Sequence, residues 1–156
     1  MLAGGRLLHG LVHPEMGHIL LRPDPRDPAP KGFCPYHDGC LEGMASGPAI
    51  EKRWGASAKE LPAEHVAWDV EAEYLSQMCV AAITMLSHKR IVLGGGVMHQ
   101  THLFPKIRER TLAKLNGYVS HPAIIEHIDT YIVPPALGDN AGAVGSILLA
   151  KMALEG

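Results

Sequence analysis

Apolar positions change their spacing along this chain, and the changes mark its elements. Between Asp69 and Leu86, the residues Val70, Tyr74, Met78, Ala82 and Met85 recur three or four apart, with Leu75, Ala81 and Leu86 widening the stripe. That spacing gathers them on one helical face, so the Met and Tyr side chains read as core rather than as ligands of a cofactor. Ile91-Val92-Leu93 and Tyr131-Ile132-Val133 are instead short unbroken runs of strand formers; one stops at Gly94-Gly95-Gly96, the other at Pro134-Pro135. Each predicts a buried strand that feeds a bare loop. A helix is predicted from about Thr101 to Leu115, with Asn116-Gly117 as its stop, and a last helix opens at Gly138-Asp139-Asn140 and runs to about Leu154. Helix, strand, glycine loop, helix, strand, loop, helix is the order of an α/β domain with adjacent parallel strands.

The first third is patterned differently. From Arg6 to Leu21, apolar pairs are separated by His-Gly and Met-Gly breaks, as in short strands joined by tight turns. Pro23, Pro25, Pro28 and Pro30 then exclude helix between Arg22 and Lys31 and favour an extended excursion that needs something to pin it. Leu41 to Trp54 predicts a helix with Ser46-Gly47-Pro48 in it or at its break, followed by a polar connection through Gly55, Ser57 and Pro62.

Candidate chemistry sits where the excursion ends. Cys34, His37 and Cys40 offer three zinc ligands with two-residue gaps, and Glu42 follows. His18, one loop upstream beside Gly17, is the best fourth ligand, ahead of His13 and His9; four donors would close a tetrahedral shell and make the metal structural. A Cys34–Cys40 disulfide, or two unpaired thiols, is the alternative. Gly94-Gly95-Gly96 and Gly138-Asp139-Asn140-Ala141-Gly142 stand after strands, where backbone N–H groups and a helix N-terminus favour an anionic ligand. Either loop taken singly reads equally as a tight turn or as room for close helix packing. Neither matches the phosphate-loop or dinucleotide glycine patterns, which removes those nucleotide classes.

Composition narrows the class. The 156 residues, 47% of them hydrophobic, suit one domain of ordinary size. Fourteen basic against sixteen acidic side chains give a net charge of −2, with no basic run beyond the Lys52-Arg53 and Lys89-Arg90 pairs, so nucleic acid is not an expected partner. Apolar stretches fall short of the ~18 residues of a membrane span, and Met1-Leu2-Ala3-Gly4-Gly5-Arg6 lacks the order of a signal peptide. Three cysteines, two of them bracketing a histidine, fit a reducing cytoplasm.

Five segments taken together carry a family resemblance: His13-Pro14-Glu15-Met16-Gly17-His18, Cys34-Pro35-Tyr36-His37-Asp38-Gly39-Cys40-Leu41-Glu42-Gly43, Ala45-Ser46-Gly47-Pro48-Ala49-Ile50, Ile91-Val92-Leu93-Gly94-Gly95-Gly96-Val97-Met98 and Leu137-Gly138-Asp139-Asn140-Ala141-Gly142. In order and spacing they resemble the ROK family of sugar kinases, and within it the bacterial fructokinase branch. The resemblance implies an α/β fold, the C-terminal lobe of the actin-like ATPase or ribonuclease H-like sugar kinase fold with its first strand or strands missing. It implies a single domain over residues 1–156, with a zinc loop at 18–42. It also implies ATP- and magnesium-dependent transfer of phosphate to a hexose. The roles that follow are zinc ligation by His18, Cys34, His37 and Cys40, sugar binding by Glu15 and Glu42, and an adenosine site at Gly94, Gly95, Gly96, Gly138, Ala141 and Gly142.

Glu15 and Glu42 suit that role chemically, since carboxylates accept hydrogen bonds from paired hydroxyls and each lies close in sequence to a proposed zinc ligand. Without the family context they would read as a turn carboxylate and a first-turn helix charge. Members of the family are about twice as long, and the resemblance assigns their phosphate turn and catalytic aspartate to an N-terminal half. The catalytic residue is therefore unknown here, and the chain alone is expected to phosphorylate weakly or not at all. An apolar cleft face and an unpaired strand edge near residues 1 to 12 lead to an expected homodimer or higher oligomer. Two other functions fit the same residues: a non-enzymatic zinc-stabilised interaction module, and a zinc-dependent hydrolase using an open metal position.

Overall fold

The computed structural model describes residues 1–155 and forms two compact units, Met1–Met78 and a second beginning at Cys79. The first unit opens with a hairpin of β1 (Leu2–Ala3) and β2 (Arg6–Leu7), which pairs Leu2 with Leu7 and Ala3 with Arg6. Gly4 and Gly5 join the strands at φ of 58° and 76°, the double left-handed conformation of a two-residue hairpin turn. Residues 8–13 beyond it are exposed. Instead of the further strands expected up to Leu21, the chain makes a 3-10 turn at Met16–His18 and a single bridge between Leu20 and Cys40.

After the proline-rich excursion come α1 (Leu41–Ala45) and α2 (Gly47–Trp54). They are separate helices because Ser46 is extended, with φ −81° and ψ 157°. Its hydroxyl accepts a hydrogen bond from the Ala49 amide at 3.4 Å, and Pro48 lies in the first turn of α2, where a missing N–H costs nothing. Gly55 closes α2 in the left-handed conformation, its N–H donating to Glu51 O at 2.8 Å. The long helix α3 (Ala67–Leu86) follows, and the boundary between the units falls within it. In the first unit Val70 and Tyr74 pack with Met44 and Ala45, flanked by Leu21, Leu41, Trp54 and Leu75. The apolar period of α3 thus works as a core stripe through Val70, Tyr74 and Ala82, but not to its end: Met85 is 77% exposed and Leu86 is exposed as well, so the last turn of the helix reaches solvent and these two side chains are not core as the spacing predicts.

Glu71 breaks that stripe, being fully buried with Oε1 unpartnered. Burial pushes its carboxyl well above the usual carboxylate range, partly opposed by Arg53 and reinforced by Asp27. A raised folded-state pKa means that the folded chain keeps a proton that the unfolded chain releases. Stability is then full below the unfolded value near 4.3 and falls as pH rises toward the folded value. Glu71→Gln is expected to flatten that slope and to raise stability at pH 7 relative to pH 4, since the amide has no proton to lose. Urea unfolding at pH 4 and pH 7 checks this; an unchanged slope would remove Glu71 as its source.

The second unit is built on β3 (Ile91–Val92) and β4 (Ile132–Val133), which pair in parallel with Ile91 opposite Ile132 and Val92 opposite Val133. Between them lie α4 (Leu103–Leu115), α5 (Pro122–Ile125) and α6 (Ile128–Tyr131); α7 (Ala141–Glu155) ends the described chain. Asn116 terminates α4 in the left-handed conformation, as the Asn-Gly pair predicts. Arg108 ties α4 to β4, its guanidinium donating to Ile132 O at 2.8 and 3.0 Å and to Asp129 O at 2.9 Å. Cys79 is buried, and desolvation pushes its thiol up to about 12, so it stays protonated and inert. Among the described residues no helix is long and apolar enough to cross a membrane.

Candidate metal centre

Backbone pairing closes the excursion at its base. Leu21 N–H donates to Gly39 O at 2.8 Å and Leu41 N–H to Ile19 O at 2.9 Å, on either side of the Leu20–Cys40 bridge. His18, at the end of its 3-10 turn, is thereby set beside Cys40, which caps α1. Gly39, at φ 75°, turns the returning strand, and its N–H donates to Lys31 O at 2.7 Å.

Four ligand atoms meet at this base. His18 Nδ1 lies 3.7 Å from Cys40 Sγ and 3.9 Å from Cys34 Sγ, and His37 Nδ1 lies 3.7 Å from Cys34 Sγ. A tetrahedral zinc ion with Zn–S near 2.3 Å and Zn–N near 2.05 Å separates sulfur from nitrogen by about 3.6 Å, so these three spacings are close to what that ion requires. All four atoms lie within 4.8 Å of one another. Cys34 and Cys40 are free thiols, which leaves the disulfide alternative without support in the structure. Burial grades across the cluster, from exposed His37 to buried Cys40.

Ligation needs thiolates, and the local backbone favours one of them. The Tyr36 N–H points at Cys34 Sγ at 3.5 Å and, with the His37 N–H and the Cys40 thiol, holds the Cys34 thiol below its ordinary value. Burial pushes Cys40 the other way. His9 and His13, the weaker fourth-ligand candidates, remain exposed with their rings 6.0 Å apart and outside the cluster.

Glu42 projects from the first turn of α1 toward the His18 turn, where its Oε2 lies 3.7 Å from the position a Cβ on Gly17 would take. Glu15 heads the same turn and is exposed, its carbonyl accepting the His18 N–H at 3.0 Å. On its other side Glu42 lines a cavity of about 150 Å³ together with Phe33, Ser46 and Lys52. Lys52 was not signalled by any motif.

The two glycine loops also come together within the second unit. Gly94 lies against Pro135, where a Cβ would stand 3.3 Å from the proline ring, and Gly95 adopts φ 91°. A 3-10 turn over Gly96–His99 carries His99 to Asp139, Nε2 to Oδ1 2.8 Å, in the matching turn Gly138–Asn140. Gly138 needs its freedom at φ 51°, whereas a Cβ on Gly142 would meet nothing within 4 Å, so close packing does not explain that glycine. Ala141 and Gly142 open α7. Sequence reasoning found the loops but missed the His99–Asp139 link, because the two residues are separated by forty positions.

Comparison with known proteins identifies the family. The ROK family model matches residues 1–153. The chain is 47% identical over 151 residues to a putative fructokinase of Bacillus subtilis (strain 168), covering 97% of this chain and 50% of that protein. It is 43% identical over 155 residues to a fructokinase of Pediococcus pentosaceus, covering 99% and 52%. Among solved structures, a ROK hexokinase from Thermus thermophilus superimposes with a TM-score of 0.73 at 25% identity, over 97% of this chain and 52% of that one. The chain thus spans about half the length of the relatives it matches, and its fold is that of the corresponding half of an actin-like sugar kinase. With a family match over nearly its whole sequence, this chain belongs to the ROK family.

Proposed function

We propose that the chain is the sugar-recognising half of a fructokinase-type hexose kinase, with hexose held by Glu15 and Glu42 beside a structural zinc and with ATP and Mg²⁺ as co-substrates. The observation that carries this reading is the convergence of His18, Cys34, His37 and Cys40 close to ligand spacing, with the Glu42 carboxylate reaching Gly17, the residue next to His18. Zinc bound there supplies a cross-link between the Glu15 turn and the excursion. Glu42, on a helix whose cap is itself a ligand, can then accept hydrogen bonds from neighbouring hydroxyls without ordering a loop first. Glu15 stands two residues before Gly17, the residue that Glu42 Oε2 approaches.

Phosphoryl transfer consists mainly of positioning and charge stabilisation, with a carboxylate accepting the hydroxyl proton. We assign that carboxylate to no residue of this chain, so the reading is of a half that binds hexose and turns it over slowly or not at all. Adenine nucleotide is placed on Gly94, Gly95, Gly96, Gly138, Ala141 and Gly142, supported by the contact between their turns. Ile147, Leu148, Leu149 and Met152 on α7 are exposed, which supports a homodimer or larger assembly, and the reducing-compartment thiols support a cytoplasmic setting.

A fructose and ATP titration of the zinc-loaded chain tests the proposal: saturable binding of both is expected, and binding of neither would leave a zinc-stabilised interaction module. His99→Ala is expected to weaken ATP by no more than about fivefold, the scale of an exposed pair, without changing hexose affinity. Equal loss for both ligands would argue against separate sites. A hydrolase is disfavoured because four converging protein donors leave no coordination position for water.

A further inference from the structure

We infer that Arg53 is a positioning residue: a second clamp, independent of the metal, that holds the zinc loop and the Glu42 helix against each other. Its side chain is 1% exposed and pairs with Asp27, itself 0% exposed, at 2.7 Å between Nε and Oδ1. Asp27 belongs to the proline-rich excursion, so a charge pair sealed from water anchors the middle of that loop to α2. The anchor is widened by the Tyr74 hydroxyl, which donates to Asp27 Oδ2 at 2.5 Å, and by the Ala29 N–H, which donates to Oδ1 at 2.7 Å.

The same guanidinium reaches the helix that carries Glu42. Nη1 donates to Met44 O at 2.7 Å, in α1 and two residues beyond Glu42. That carbonyl needs an outside partner, because the residue four positions on is Pro48, which has no N–H to give. Arg53 also lies over the Phe33 ring, 5.7 Å from its centroid, and Phe33 immediately precedes the ligand Cys34. One side chain therefore touches the excursion, the ligand loop and the Glu42 helix.

Backbone contact makes the coupling direct. Phe33 N–H donates to Gly43 O at 2.9 Å. A Cβ on Gly43 would stand 2.6 Å from Cys34 N, and one on Gly32 would stand 2.6 Å from Gly43 O. With no side chain between the ligand loop and α1, any shift that Arg53 permits passes straight to Glu42. A planar fork of five N–H groups suits this branching role, and lysine, a single point donor, can satisfy only part of it.

The inference rests on the proposed function only in giving Glu42 a hexose to bind, and its test reads the clamp without sugar. Amide hydrogen exchange at Phe33 and Met44 is measured in the wild-type chain with and without chelator, and in zinc-loaded Arg53→Met, Arg53→Lys and Asp27→Asn. Co(II) substitution reports the tetrahedral site by its d–d absorption. Exchange at Phe33 is expected to accelerate more than tenfold in Arg53→Met and Asp27→Asn while the Co(II) spectrum persists, with Arg53→Lys between these and wild type. Chelated wild type is expected to keep most of its protection. The clamp is overturned if the Asp27→Asn and Arg53→Lys chains, which keep the core volume should Arg53→Met not fold, protect Phe33 as wild type does. It is also overturned if chelation alone exposes Phe33 as fully as the variants do. Faster exchange with unchanged fructose affinity would uphold the clamp and count against the hexose reading.

Discussion

Cys40→Ser is expected to reduce bound zinc from about one ion per chain to a small fraction of that, and to lower the melting temperature by about 6–12 °C. The magnitude follows from loop closure. Through the metal, His18 and Cys34 are joined across sixteen residues, and cross-linking a loop of that size is worth roughly 3 kcal/mol. For a chain of this length each kcal/mol moves the midpoint by about 2–4 °C. Ligand choice matters: Cys40 is buried, bridges back to Leu20 and caps α1, so a hydroxyl there leaves a weak ligand in a desolvated place. Metal analysis and melting curves with and without chelator decide the matter. A wild-type midpoint indifferent to chelation would mean that the four donors hold no ion of structural consequence.

The second large effect is expected at Glu42. Glu42→Gln keeps the size of the side chain and removes its charge, and hydrogen bonds to a charged group are worth about 1.5–3 kcal/mol, so fructose should bind some 10- to 150-fold more weakly. Zinc content should not change, because the carboxylate stands outside the four-donor cluster. A titration paired with metal analysis separates recognition from folding. Fructose affinity equal to wild type would move the sugar elsewhere, and joint loss of sugar and zinc would make Glu42 a support of the loop.

Much of this was legible in the sequence because the decisive signals are local. The three-and-four spacing in α3, the strand formers before Gly94 and Pro134, and the Asn116 stop each depend on neighbours within a turn or two, and each element lies close to where its pattern placed it, although Val92 is exposed in a strand predicted as buried and Tyr131 ends α6 rather than opening β4. The His/Cys cluster was legible for a similar reason, since Cys34, His37 and Cys40 lie close in sequence and only His18 had to be brought from farther away. The short strands read into Arg6–Leu21 were misplaced. Apolar pairs there mark the Leu2–Leu7 hairpin and a lone bridge at Leu20, because alternation over so few residues does not distinguish a strand from a turn.

What the sequence hid was polar and long-range. Asp27 sits among prolines and reads as loop, yet it is fully buried against Arg53 and Tyr74, forty-seven positions from the latter. Glu71 interrupts an apolar stripe as any solvated charge would, and only packing shows that it is inside. Periodicity registers which side chains avoid water, but not which charges have found partners away from it.

The parallel register of Ile91 with Ile132 carries a consequence for how the molecule assembles. Two strands of two residues each hold little by themselves, and closing the long intervening segment must be offset by the helices and by Arg108 before the pair can form. The ligand set at His18–Cys40 joins nearer neighbours, so the first unit should be in place while β3 and β4 are still apart. Refolding followed at the cobalt-substituted thiolates would then run ahead of refolding followed in the second unit, and the slow step of maturation would belong to the closure of the parallel pair.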